Sequence, residues 1–260
     1  MSLITILIMG LFVSFTSVFI GLGGGILLVP LLPDYFGLST HEAVATSLLT
    51  IFFVVSNNTY KFHQSKVIHW PVVFYMGPVS AIMAVVAAQV AQHVDARVIL
   101  YALVGILILV AIKTLFSSFL PQAYKVAPDL DKKQKTFSIV GGAIAGLTSG
   151  FAGVGSGVIL SPVMILLKTV QPKQLSPTAN ANMVFATLAA SISYLLSGSY
   201  VKWNQWGLVR WDIALGVFIS AAFFAYFLRP HQNKLPFRVK SLLLSVLLIY
   251  LIIKILIRLN

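Results

Sequence analysis

Gly21-Leu22-Gly23-Gly24-Gly25-Ile26-Leu27-Leu28-Val29-Pro30 is the stretch around which the chain is organised, because the chain states it twice. The second copy is Gly153-Val154-Gly155-Ser156-Gly157-Val158-Ile159-Leu160-Ser161-Pro162, and first glycines and prolines alike stand 132 residues apart. Both copies lie inside long uncharged apolar runs, where each glycine costs a helix roughly 1 kcal/mol relative to alanine. A glycine break repeated in two membrane-length segments is the pattern of discontinuous helices around a transporter's substrate site.

The surroundings set the class. Of 260 residues, 58% are hydrophobic and only 9% charged, with a mean hydropathy of +0.95. A soluble domain carries about 25% charged residues. The chain therefore reads as an all-α, polytopic membrane protein with the lipid bilayer as its solvent. Its net charge of +12 does not point to nucleic acid, because the Lys and Arg fall between apolar runs, where they orient spans and meet headgroups. The absence of cysteine excludes disulfides, thiolate zinc sites and thiol catalysis. The apolar run from Met1 has no basic start and continues uncharged to Pro33, so it is expected to be a retained span rather than a signal peptide.

Runs of about 20 apolar residues place candidate spans at 3–32, 43–60, 71–91, 97–116, 137–167, 176–197, 211–228 and 238–257. The first and fifth are too long for one straight crossing and are expected to break at their glycines. The polar stretch 117–136 separates a first repeat, 1–116, from a second, 137–260. The repeats also match at Thr46, Thr50 and Phe53 against Thr178, Asn182 and Phe185, and at Arg97 and Lys113 against Arg238 and Lys254. About eight helices in two four-helix repeats, an even number each, predict parallel repeats. The 117–136 linker and both termini then share one side, which holds eleven of the eighteen basic residues and is expected to be cytoplasmic. If each glycine run instead makes a re-entrant hairpin, the repeats are inverted.

The candidate binding residues follow from the breaks. Gly21, Gly23, Gly24 and Gly25, with Gly153, Gly155 and Gly157, permit positive φ and close backbone approach. A helix restarting after them presents free N–H groups and a positive dipole end, a seat for an anion, and Ser156 adds a hydroxyl. Glycines at this spacing also serve helix packing; Gly142, Gly146 and Gly150 read that way. A second feature is a polar stripe: Thr46, Thr50, Phe53 and Asn57 share one helix face, Thr178, Asn182 and Phe185 repeat it, and Asn180 lies to its side. The stripe reads as pathway lining, with interhelical hydrogen bonding as the alternative. Lys113 and Lys254 are placed to snorkel, and Asp34, Glu42 and Asp212 to cap helices. His41, His63, His69, His93 and His231 all lie outside the span cores, so no metal site, cofactor or His-dependent protease is expected.

Gly21-Leu22-Gly23-Gly24-Gly25 through Pro30, Ala45-Thr46-Ser47-Leu48 after it, and the weaker copy from Gly153 resemble the TauE/SafE family of membrane permeases. The resemblance runs from about Leu11 to Leu256. It implies a multi-pass transporter of the bacterial inner membrane, proposed to move sulfur oxyanions such as sulfite, sulfoacetate or other sulfonates. The expectation is thus a secondary carrier, not an enzyme, holding a small anion between the repeats. A membrane scaffold in which the glycines only pack helices is the alternative. Oligomeric state is left open.

Overall fold

The computed structural model describes residues 3–20, 24–116, 130–197, 201–231 and 237–259. Ten α-helices make up nearly all of the described chain: α1 Leu3–Ile20, α2 Gly25–Phe36, α3 Thr40–Gln64, α4 Trp70–His93, α5 Ala96–Phe116, α6 Lys132–Ala152, α7 Gly157–Leu166, α8 Leu175–Leu195, α9 Trp211–Leu228 and α10 Phe237–Leu259. Local chemistry sets their ends. Ser39 and Glu42 form a capping box at α3, and Asp131 and Gln134 form one at α6. Pro71 occupies the first turn of α4, where its missing N–H costs nothing, and Gly37 closes α2 at φ 65°. The Asp131 cap starts α6 inside the stretch assigned from sequence to the linker, most of which (117–129) lies outside the described residues.

The first glycine run does not carry the chain onward in one direction. Gly24, at φ +77°, lies so close to α1 that an added Cβ would sit 2.9 Å from the Val13 carbonyl oxygen. From there α2 runs back along α1, and its Leu27, Leu31 and Tyr35 line one cavity of about 280 Å³ with Phe12, Ile8 and Thr5. The same reversal follows α6. Gly141 abuts Val163 of α7, and the Gln134 side-chain amide donates to the Leu167 carbonyl across 3.0 Å. Each long apolar run is therefore a hairpin of unequal arms. The α2 arm has 12 residues, about 18 Å, and is buried on every side from Gly25 to Pro33.

Three long helices follow each hairpin, and the two sets interlock. Gly142, Gly146 and Gly150 of α6 press on the backbone of Met76, Ser80 and Ala84 of α4, so α6 and α4 run parallel. Gly10 and Ile6 of α1 meet Ser220 and Gly216 of α9 in the same sense. Antiparallel α3 and α8 form the centre, and α5 pairs with α10. Tyr194 is fully buried and its hydroxyl donates to the Gly150 carbonyl, 2.9 Å, tying α8 to α6.

Following the helix directions gives the bundle two distinct ends. One end carries the start of α1, the 37–39 and 94–95 turns, a short hairpin of β1 (Val201–Lys202) and β2 (Gln205–Trp206), and the end of α10. The other carries the 65–69 turn, the end of α5, the start of α6, the 167–174 turn and the end of α9. This corrects two expectations. The halves are antiparallel, not parallel, because each hairpin returns to its own side and leaves three end-to-end helices, an odd number. The linker flanks consequently lie at the end opposite both termini, not beside them. The physical reason is local: a glycine with positive φ lets the backbone reverse where a side chain would have favoured helix continuation.

The outer surface is apolar. Phe74, Ile82 and Val90 of α4, Ile219 and Phe223 of α9, and Ile249 and Ile253 of α10 are all exposed, a surface suited to lipid and not to water. Helices α3, α4 and α9 are each long and apolar enough to cross a membrane.

Candidate substrate site

The two hairpins bring the glycine segments together at the centre of the bundle. An added Cβ at Gly25 would lie 3.0 Å from the Val154 carbonyl oxygen, and one at Gly153 would lie 3.0 Å from Val29 Cγ2 and from Val44 Cα. Gly153 and Gly155 have φ of 70° and 81°, which side chains rarely adopt. Gly155 and Gly157 face Met183 of α8, and Ser47 of α3 donates to the Gly153 carbonyl at 2.8 Å. Both short helices, α2 and α7, thus begin where α3 and α8 cross. Gly21 and Gly23 lie outside the described residues.

The polar candidates divide sharply. Thr46 Oγ1 accepts from the backbone N–H of Arg210, the residue that caps α9, at 3.1 Å. Thr178 Oγ1 accepts from the backbone N–H of His69, which caps α4, also at 3.1 Å. Each half therefore supplies a threonine that satisfies an orphan N–H at a helix start of the other half. Thr50 Oγ1 donates to the Thr46 carbonyl within its own helix, and Phe53 stacks 5.4 Å from Phe218 of α9. Of the stripe, Thr46 and Thr178 bond between helices, while Thr50 and Asn182 bond within their own. Two candidates remain: Ser156 Oγ and Asn182 Oδ1 are fully buried and have no hydrogen-bond partner. One N–H of the Asn182 amide donates to the Thr178 carbonyl, 3.0 Å away, and its unpartnered Oδ1 is an acceptor.

Asn180 belongs to a different group, near the end of the bundle that holds the linker flanks. Its Oδ1 accepts from Asn58 Nδ2 at 3.2 Å, the same nitrogen reaches Ser17 Oγ at 2.9 Å, and Arg229 Nη2 donates to Asn58 Oδ1 at 2.6 Å. Sequence reasoning missed Ser17, Asn58 and Arg229. The stripe pointed to Asn57 rather than its neighbour, and Arg229 stands just beyond the candidate span 211–228. Burial pushes the Arg229 guanidinium below its ordinary pKa and holds the His69 imidazole below its own. At the opposite end, a hydrogen bond to Asp212 raises Arg210, and the two form an ion pair of 2.8 Å. Lys254 pairs with Asp34, at 2.6 Å, so Asp34 is a partner rather than a cap.

Paired helix hairpins meeting in an apolar, lipid-suited bundle define a multi-pass membrane protein as the class. The model of the sulfite exporter TauE/SafE family matches residues 6–255, and the chain belongs to that family. It is 24% identical over 250 residues to a probable membrane transporter protein of Methanocaldococcus jannaschii, covering 93% of this chain and 91% of that protein. A probable membrane transporter protein of Haemophilus influenzae is 26% identical over 258 residues with the same coverage. The probable membrane transporter protein YjnA of Bacillus subtilis is 30% identical over 212 residues, 75% of this chain and 80% of that protein. No solved structure matches the chain.

Proposed function

We propose that this transporter is a secondary carrier of a small anion, of the sulfur-oxyanion class for which its family is named. Six helices, α3, α4, α5, α8, α9 and α10, cross the membrane, and the hairpins α1–α2 and α6–α7 enter it from opposite sides as inverted repeats. The anion is held where α2 and α7 begin, among Gly24, Gly25, Gly153, Gly155 and Gly157, by free backbone N–H groups and by Ser156. The observation that carries this is the Ser156 hydroxyl: wholly buried, at the positive end of α7 and without a partner. A buried hydroxyl with nothing to bond costs about 1–3 kcal/mol, and a donor at a helix N-terminus suits an anionic oxygen. The free Oδ1 of Asn182, an acceptor, meets the substrate through a proton of the anion or of a water. Thr46, Thr50 and Thr178 set the geometry of this seat rather than touching its contents.

Charge supports an orientation. At the end with the linker flanks, Lys61, Lys66, Lys132, Lys133, Lys135, Lys168, Lys173 and Arg229 face a single described acid, Asp131. At the other end Arg97, Lys202, Arg210, Lys254 and Arg258 stand among Asp34, Glu42, Asp95 and Asp212. The strongly basic end is the cytoplasmic one. The linker is therefore cytoplasmic and both termini lie outside, in the cytoplasmic membrane of a bacterial cell.

Ser156→Ala tests the seat. Because the hydroxyl bonds to nothing in the fold, its removal leaves the thermal midpoint unchanged or slightly raised. Uptake of labelled sulfite, thiosulfate or sulfoacetate into proteoliposomes should fall about tenfold or more, the worth of one hydrogen bond to a charged group. Gly155→Leu, which fills the approach beside Met183, should abolish uptake. Unaltered transport by the alanine variant places the substrate elsewhere.

A further inference from the structure

We propose that Arg229 and Lys61, set against Asn58, form a second binding site for an oxyanion at the cytoplasmic end of the bundle, where the end of α3 meets the start of α8. This rests on the anion-carrier reading above and adds to it the place where the substrate is met from the cytoplasm.

Arg229 opens the 3₁₀ turn Arg229–His231 after α9 and is half-buried, yet among the described residues it has no carboxylate partner. Every described acid is engaged elsewhere: Asp34 with Lys254, Asp212 with Arg210, Glu42 with Ser39 and Gln205, Asp95 with the Arg97 N–H and Asp131 with the Gln134 N–H. The guanidinium instead donates to Asn58 Oδ1, and Asn58 is fixed from behind by Ser17 and by Asn180, itself anchored to the Ser176 carbonyl at 2.8 Å. Asn58 is neutral, with both N–H groups of its amide in use, and cannot neutralise the charge. Lys61 follows Asn58 by about one turn on the same face of α3.

A half-buried guanidinium held against a neutral amide, with a second cation one turn away along α3 and no free acid among the described residues, is unfavourable until an anion arrives. A guanidinium has five donors in a planar fork, and only part of that fork is used by Asn58. The remainder matches a ligand that presents two oxygens at once, and the ammonium adds a point charge. A sulfur or phosphorus oxyanion has this shape; chloride does not. The arrangement is confined to one end. The positions 132 residues away from Ser17, Asn58 and Asn180 are Ser149, Ala190 and Leu48, which cannot rebuild it.

The full chain in nanodiscs of purely zwitterionic lipid, titrated calorimetrically with sodium sulfite, thiosulfate or sulfate at constant ionic strength, tests this. Saturable binding of at least one oxyanion, with none of chloride, is expected. Arg229→Gln keeps a donor for Asn58 and should leave the thermal midpoint in place while weakening that binding about tenfold to a hundredfold. Lys61→Gln should weaken it less. Binding as tight in Arg229→Gln as in the unsubstituted protein overturns the proposal. So does heat that appears only when anionic lipid is present, which would make the occupant a headgroup. The central seat is separable: Ser156→Ala should retain this titration while losing transport. If Ser156→Ala stops transport but Arg229→Gln binds normally, this inference alone fails. If Arg229-dependent binding is present but no anion is transported, the carrier reading fails and this site stands.

Discussion

Thr46 and Thr178 offer the sharpest test of how the halves are joined. Thr46→Val and Thr178→Val keep shape and volume but remove the oxygen that accepts from the N–H of Arg210 and of His69, both at 3.1 Å. The threonines are buried to 0% exposure, so water does not readily replace the lost acceptor. Losing a helix cap costs about 0.5–2 kcal/mol, and stranding a buried donor costs about 1–3 kcal/mol. About 1–2 kcal/mol per site is a fair expectation for these partly buried pairs. In a chain of this size that lowers the thermal midpoint by about 2–8 °C. The two sites lie at opposite ends of the bundle and share no partner, so the double variant should show the sum. The assay is thermal unfolding in detergent, read by fluorescence, beside proteoliposome uptake at a temperature well below both midpoints. Uptake should be nearly normal there. An unshifted midpoint with impaired uptake would refute the reasoning, and would return both hydroxyls to the substrate pathway that the stripe of polar residues suggested.

Two further predictions follow from the fold. A reporter joined after Lys133 should be active only in the cytoplasm, and reporters at either terminus only outside; activity of all three on one side would remove the inverted arrangement. Gly146→Ala should lower expression and the thermal midpoint, because its Cβ falls on the Ser80 carbonyl of α4, whereas Gly105→Ala has no atom within 4 Å and should be neutral or stabilising by up to about 1 kcal/mol. Equal outcomes at the two glycines would show that α6 and α4 are not in direct backbone contact.

Much was legible without coordinates. Composition alone determined a membrane class, because no soluble fold could cover so much apolar surface. The repeated glycine and proline pattern marked Gly24 and Gly153 as unusual positions, since a helix tolerates glycine there only at a cost. The packing role of Gly142, Gly146 and Gly150 was also readable, from spacing that places three bare patches on one helix face.

What the sequence could not carry was direction. A glycine permits positive φ but does not say which way the chain leaves it, so the same residues allow a continued span or a reversal. Tertiary contacts of Gly24 with Val13 and of Gln134 with Leu167 decided for reversal, and that choice set the end of α5 and the start of α6 opposite the start of α1 and the end of α10. The polar residues were ambiguous for a related reason. A hydroxyl or amide announces a need for a partner but not its identity, and partners more than a hundred residues away, His69 for Thr178 and Arg210 for Thr46, exist only once the halves interlock. Arg229 was readable as a charge beyond a span; that it turns inward to Asn58 depends on where α3, α8 and α9 come together, which only the packed bundle determines.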